Sequence, residues 1–188
     1  MQKKTETQLI SDYLEGNENS FRDLVSLYVK PIYSFSFRMT GNKTDSEDIT
    51  QEVFIKVWKN IEKFNIDQDF KTWIFTIARN TIFDWLRKKK DIVFSNFEND
   101  EGDNYLVENI SDKGKDPEEI FYDKEKSFEL GELLKKISKY EQEIIFLKNE
   151  DDLTFEEISK IVGKPLNTVK SQYRRALVKL RNLINAPK

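Results

Sequence analysis

The chain contains neither cysteine nor histidine. The first absence excludes disulfides and thiolate nucleophiles, the second excludes imidazole bases, and together they exclude every Cys/His zinc site. Zinc-dependent DNA recognition and most hydrolytic triads go with them, while carboxylate chemistry remains possible. Glycine and proline are sparse, at 6 and 4 of 188 residues, so long irregular stretches have few of the usual punctuating residues. No apolar run approaches membrane-spanning length, and Met1-Gln2-Lys3-Lys4-Thr5-Glu6 lacks the apolar core of a signal peptide. The expectation is a cytoplasmic protein of one domain or two small helical ones, without a metal or other cofactor.

The net charge of −3 is unevenly distributed. From Ile158 to Lys188 there is no acidic residue, against Lys160, Lys164, Lys170, Arg174, Arg175, Lys179, Arg181 and Lys188. That basic segment reads as a helix-turn-helix. Thr154 with Glu157 three residues on forms a capping box, and Ile158, Ile161 and Val162 give the first helix its buried stripe. Gly163 suits the turn, Pro165 cannot continue the first helix, and Asn167 is placed to cap the second. In the second helix Val169, Tyr173, Ala176, Leu177 and Leu180 share one face. Thr168, Ser171, Arg174 and Arg175 stand opposite, flanked by Lys170 and Gln172, where they can reach base edges and phosphates from the major groove. The structural alternative is a helical hairpin with a solvated basic face.

The N-terminal half reads as helical throughout. Thr5 to Glu15 is amphipathic, with Leu9, Ile10, Tyr13 and Leu14 inward. Ser20 caps a longer helix to Gly41, which Pro31 should kink. A third helix starts near Thr44 or Asp45 and runs to about Lys63. Its apolar residues Ile49, Val53, Phe54, Val57, Trp58 and Ile61 cover more than one stripe, and Asp45, Glu47, Asp48 and Glu52 crowd its first turns. Acid there suits the helix dipole, yet Phe54 and Trp58 exceed one buried stripe, which suggests a docking face for a basic partner.

The fourth helix, about Phe70 to Lys90, places Phe70, Ile74, Ile77, Ala78, Thr81 and Trp85 on one side. Trp73, Thr76, Asn80, Phe83 and Arg87 gather on another arc. Aromatic rings can stack on unpaired bases for about 1–3 kcal/mol each, and Arg79, Arg87 and Lys88-Lys89-Lys90 can track phosphates. For Trp73 alone, core packing is the competing reading. From Asp91 to Glu119 the composition changes to ten acidic residues against Lys113 and Lys115, with Gly102, Gly114 and Pro117. This reads as an unstructured acidic linker, either a passive tether or a nucleic-acid mimic in a partner's basic channel.

Three of these segments resemble one family in the right order. Asp48-Ile49-Thr50-Gln51-Glu52-Val53-Phe54-Ile55-Lys56-Val57-Trp58 is similar to the polymerase-binding segment of bacterial sigma factors, specifically the small extracytoplasmic-function group of the sigma-70 family. Phe70-Lys71-Thr72-Trp73-Ile74-Phe75-Thr76-Ile77-Ala78-Arg79-Asn80, followed by Asp84-Trp85-Leu86-Arg87, resembles that group's promoter-melting and −10-reading helix. The C-terminal helix-turn-helix resembles its −35-reading domain.

The resemblance implies an all-α protein of two small helical domains, a four-helix region 2-like domain over residues 5–90 and a region 4-like helix-turn-helix domain over 118–186, joined by a flexible acidic linker over 91–117. It implies that Asp48, Gln51, Glu52, Phe54 and Trp58 dock the clamp helices of the largest subunit of core RNA polymerase. Trp73, Thr76, Arg79, Asn80 and Arg87, with the loop from Phe64 to Asp69, would serve the −10 element, and Thr168, Lys170, Ser171, Gln172, Arg174 and Arg175 the −35 element. The helix from Ser138 to Asn149, with Ile144, Phe146 and Leu147, would help meet the flap of the second-largest subunit. An anti-sigma factor is a family expectation, no small-molecule substrate is expected, and the chain is not expected to be an enzyme.

Two other readings compete. A polymerase-independent helix-turn-helix regulator would bind a palindromic operator as a dimer. An enzyme would have to use Asp45, Glu47, Asp48 and Glu52, and no phosphate-cradling loop supports it, since Ile158 stands where a glycine five residues before Gly163 would be needed.

Overall fold

A computed structural model describes residues 5–95, 131–149 and 153–185, and every regular element among them is helical. The linker expected over 91–117 lies largely outside them, as do the boundary at 118 and the chain to residue 130. The N-terminal elements are α1 (Glu6–Leu14), α2 (Glu18–Thr40), α3 (Lys43–Asn60) with a 3-10 turn at Ile61–Lys63, and α4 (Phe70–Ser95). The C-terminal elements are α5 (Lys139–Asn149), α6 (Phe155–Val162) and α7 (Leu166–Ile184), with residues 131–135 helical ahead of α5.

Helix α2 is the centre of the N-terminal half, packed on α1, α3 and α4. Its residues Leu24, Tyr28, Ile32, Phe35 and Met39 recur every three or four positions and are all buried. They meet Ile49, Val53 and Val57 of α3 and Phe70, Ile74, Phe75, Ala78 and Ile82 of α4 in one cluster. Each fully buried Leu, Ile or Phe contributes about 1.5–3 kcal/mol relative to exposure, so this cluster rather than helix propensity holds the half together. The Tyr28 hydroxyl donates to the Glu6 carboxylate and ties α1 to α2.

Several local expectations change. Asn17, not Ser20, caps α2, its Oδ1 accepting from the Asn19 N–H at 3.2 Å. Gly16 at φ +103° ends the preceding segment and lets the next helix start at once, which carries Ser20 inside the helix and buries it. Helix α2 continues as a single element through Pro31, although the missing proline N–H leaves the Leu27 carbonyl without its helical donor. Leu14, expected inward, is exposed at the end of α1.

In the C-terminal half the capping box is present, with Thr154 N–H donating to Glu157 and Glu157 N–H donating to Thr154 Oγ1 at 3.2 Å. Gly163 at φ +65° reverses the chain, and Ser159 Oγ donates to the Lys164 carbonyl at 2.6 Å across the turn. Asn167 does not cap α7. The helix begins two residues earlier than that cap implies, at Leu166 after Pro165, whose fixed φ is already suited to a helix entrance. Helices α5, α6 and α7 pack on one another through Ile144, Leu147, Ile158, Ile161, Val169, Ala176 and Leu180. Leu177, expected on the buried face, is 40% exposed.

The two halves are in contact. Helix α6 lies against α4 and α5 against α2, and the buried apolar residues of both halves belong to one cluster.

Candidate polymerase and nucleic-acid interface

The outer face of α3 follows from its sequence period. With Ile49, Val53 and Val57 buried, the residues at Asp48, Gln51, Ile55 and Trp58 turn outward, Ile55 being 50% and Trp58 55% exposed. Glu52 stands half-buried beside them and pairs with Lys56 at 2.7 Å. An indole and an isoleucine left in water beside carboxylates form an apolar patch with an acidic rim. Phe54, expected on this face, packs partly buried against the core instead, and Ile55 takes its place. The one-residue difference reflects helix phase: Phe54 follows Val53 and lies nearer the buried stripe. The acid of the first turn, Asp45, is bound to Lys89 of α4 at 2.9 Å.

The second feature is a cleft of about 480 Å³ where the end of α3 meets α4, lined by Lys56, Asn60, Lys63, Trp73, Ile77 and Asn80 among others. Trp73 is half-buried: one side rests on Phe64 and Phe70, with ring centroids 4.9 and 5.6 Å away, and the other lines the cleft. One indole thus both packs on the core and lines the cleft. Lys56 Nζ donates to Thr81 Oγ1 at 2.9 Å across the base of the cleft. The cations and Asn60 were missed by sequence reasoning, although Lys56, Asn60 and Lys63 follow one another at four- and three-residue spacing along a single side of α3 and its terminal turn.

Of the other residues expected to serve the −10 element, Asn80 is exposed at the cleft. Thr76 does not line it, and its hydroxyl donates to the Thr72 carbonyl of its own helix at 2.7 Å. Arg87 is exposed further along α4 and pairs with Asp84.

Arg79 is held by the other half of the protein. Its Nε donates to Glu143 Oε1 of α5 at 2.7 Å, its Nη1 donates to Asn80 Oδ1 at 3.2 Å, and its guanidinium lies 4.7 Å over the Phe83 ring. Phe83 in turn stacks on Tyr140 of α5, with ring centroids 5.1 Å apart and an interplanar angle of 16°. Lys139 completes the contact by donating from Nζ to the Met39 carbonyl at the end of α2, at 2.6 Å. Glu143 is 1% exposed. Burial pushes its carboxyl above the usual carboxylate range, against the opposing pull of Arg79 and Lys164. Burial likewise lowers the Lys139 ammonium, with Lys135 adding to the effect.

On α7, Lys170, Ser171, Arg174 and Arg175 are exposed, and Thr168 and Gln172 half-buried. Ser171 Oγ donates to the Thr168 carbonyl at 2.9 Å, and Arg175 Nε to the Ser171 carbonyl at 3.3 Å, so both groups lie along their own helix. Gln172, Arg175 and Lys179 face a cleft of about 330 Å³ shared with Lys136, Tyr140 and Lys164. Lys164 Nζ donates to Gln172 Oε1 at 3.3 Å. Lys179 pairs with Glu141 at 2.6 Å, which holds the Glu141 carboxyl below its ordinary value. Ile144, Phe146 and Leu147, expected to meet a polymerase subunit, are buried. On α7, Leu177, Val178 and Ile184 are exposed apolar side chains.

Among the described residues, no group of three or more acidic side chains is arranged to hold a metal ion, and no helix is long and apolar enough to cross a membrane. A helix-turn-helix with a basic outer face, set beside a helical unit that carries an exposed apolar patch and an aromatic–amide cleft, has the features of a DNA-binding protein. Comparison with known proteins fits that class. Residues 24–92 match the family model for Sigma-70 region 2 and residues 127–180 that for Sigma-70, region 4. The chain is similar to the ECF RNA polymerase sigma factor SigW of Bacillus subtilis, with 34% identity over 174 residues covering 92% of each protein. Two solved structures share the fold. CnrH in complex with the cytosolic domain of CnrY has a TM-score of 0.71 at 20% identity, covering 97% of this chain and 99% of that one. The sigma factor RpoE from Bartonella quintana, in complex with the anti-sigma factor NepR, has a TM-score of 0.68 at 21% identity, covering 89% and 98%.

The chain belongs to the extracytoplasmic-function group of sigma-70 factors, which direct promoter-specific transcription initiation by RNA polymerase.

Proposed function

We propose that the surfaces of this sigma factor divide the work of initiation among α3, α4 and α7. Asp48, Gln51, Glu52, Ile55 and Trp58 dock the clamp helices of the largest polymerase subunit, with Phe54 supporting them from beneath. Trp73 and Asn80 hold bases unstacked from the −10 element, with Lys56, Asn60 and Lys63 around them. Arg79 and Arg87 take the adjoining phosphates. Thr168, Lys170, Ser171, Gln172, Arg174 and Arg175 enter the major groove at the −35 element. Leu177, Val178 and Ile184 offer the apolar surface for the flap of the second-largest subunit.

The observation that carries this reading is the cleft between α3 and α4. Its aromatic wall, amides and amines suit an unpaired base near phosphates better than the edge of an intact duplex. Stacking and amide contacts offset the few kcal/mol of unstacking, and the cations add salt-sensitive affinity. The protein supplies binding energy rather than a catalytic group, and it works in the cytoplasm, where polymerase and promoter are found. An anti-sigma factor is its expected inhibitor, as NepR is a partner of the Bartonella RpoE.

A pull-down with purified core polymerase, followed by transcription from a promoter library, tests the reading. Stable association and RNA from a defined subset of promoters are expected. Sequence-specific binding to a palindromic operator without polymerase would favour the independent regulator instead.

A further inference from the structure

Lys164 stands in the turn before α7, outside the helix proposed to read the −35 element, and the fold holds both its backbone and its side chain in place. Its N–H donates to the Ser159 carbonyl at 3.1 Å and its own carbonyl accepts from Ser159 Oγ at 2.6 Å, so the backbone is tied on both sides. Pro165 follows with its fixed φ. The side chain is half-buried: its Nζ lies 5.2 Å over the Tyr140 ring and donates to Gln172 Oε1 at 3.3 Å. Ser159, Lys164, Tyr140 and Gln172 all belong to the C-terminal half. An ammonium can only donate, so the amide oxygen of Gln172 faces Lys164 and Nε2 turns the other way. No described residue accepts from that Nε2, and Gln172 lines the cleft between α5 and α7 beside Arg175.

The contact changes what the glutamine can read. A glutamine amide with both ends open suits adenine, donating from Nε2 to N7 and accepting at Oε1 from the N6 amino group. Here one lone pair of Oε1 is taken by Lys164, and an amino group approaching the other is brought against a positive charge. What remains toward the major groove is a set of amide donors beside an ammonium, which matches the two acceptors of guanine, O6 and N7. We infer that Lys164 is a positioning residue that turns Gln172 from an adenine reader into a guanine reader, so that base preference at one −35 position is set from outside the recognition helix. The inference rests on the −35 role proposed for α7.

Holoenzyme assembled with each full-length variant, and a promoter library randomised across the −35 element and sequenced after binding, provides the test. The wild type should favour guanine at the position that Gln172→Ala makes indifferent. Lys164→Met, which keeps the stem and removes the donor, should shift that position alone from guanine toward adenine by about fivefold or more, the low end of what one base contact discriminates. Lys164→Arg, whose guanidinium also only donates, should keep guanine. Adding Lys164→Met to Gln172→Ala should alter base preference no further, because Lys164 acts through the amide. Circular dichroism confirms that each variant is folded. A uniform loss across sequences with a shallower salt dependence in Lys164→Met would make Lys164 a phosphate contact and overturn the inference, as would unaltered preference at the Gln172 position. Failure of the −35 reading is separately visible: Arg175→Ala as well as Gln172→Ala would then leave every −35 preference as in the wild type.

Discussion

Helices α4 and α7 each carry arginine close to a side-chain amide on an outer face, and the fold treats the two faces in opposite ways. On α4, Arg79 and Asn80 are tied together and to Glu143 of the other half. On α7, Arg174 and Arg175 remain exposed, and the Arg175 guanidinium bonds back along its own helix through Nε to the Ser171 carbonyl. A helix that reads intact duplex from the major groove can stay exposed without penalty, since solvated arginines are ordinary. A helix that takes unstacked bases must expose aromatic rings beside cations, a surface that attracts substitutes. The face of α4 is thus engaged by the other half of the protein, while the arginines of α7 remain exposed.

The largest expected effect concerns neither helix but the outer face of α3, proposed to dock polymerase. Trp58→Ala, made at a half-exposed indole, should weaken the complex with core polymerase by on the order of 2 kcal/mol or more, about thirtyfold, as a central aromatic anchor does. Fluorescence anisotropy titration with core enzyme measures it. A collapse in melting temperature with unchanged affinity would assign Trp58 to packing instead.

Sharper resolution comes from two residues on α7. Arg175→Ala should cost about 1–3 kcal/mol and relax preference at one or two −35 positions. Lys179→Ala should weaken holoenzyme binding evenly across sequences and reduce the salt slope by about one. Its ammonium is bound to Glu141 in the free protein, so this loss is expected only if DNA draws it away. Electrophoretic binding across a −35 library at two salt concentrations separates these outcomes; identical uniform losses would mean that α7 tracks phosphate alone.

The smallest effect concerns the scaffold. Thr154→Ala removes the hydroxyl that accepts from Glu157 N–H and should lower stability by about 1 kcal/mol while leaving polymerase affinity unchanged. Thermal unfolding monitored by circular dichroism reads the first, and the anisotropy titration the second.

Much of this molecule was legible from its sequence because helical period and cap chemistry are local. The stripes of α2 and α6, the box at Thr154 and Glu157, and the turn at Gly163 each depend on residues within a few positions of one another. What could not be read was decided at longer range. Phe54 and Ile55 are adjacent and both apolar, and it is the helix phase set by Ile49, Val53 and Val57, once α3 packs on α2, that leaves Ile55 outside. Ile144, Phe146 and Leu147 could belong to a core or to a surface until α6 and α7 close over them. The pairing of Arg79 with Glu143 spans 64 positions in sequence, and neither residue announces the other. The cleft on α4 was half visible: Trp73 and Asn80 share an arc of one helix, whereas Lys56, Asn60 and Lys63 arrive from another.

The most direct measurement is permanganate footprinting of holoenzyme on matched duplex and pre-melted promoters, with transcription from each. Trp73→Ala and Asn80→Ala should still bind duplex promoter but leave −10 thymines unreactive. The bubble template should restore Trp73→Ala more fully than Asn80→Ala, because a base-reading amide is still missing after the strands are parted. If both variants open duplex DNA as the wild type does, the cleft on α4 is structural and the account of how this factor melts promoters is wrong.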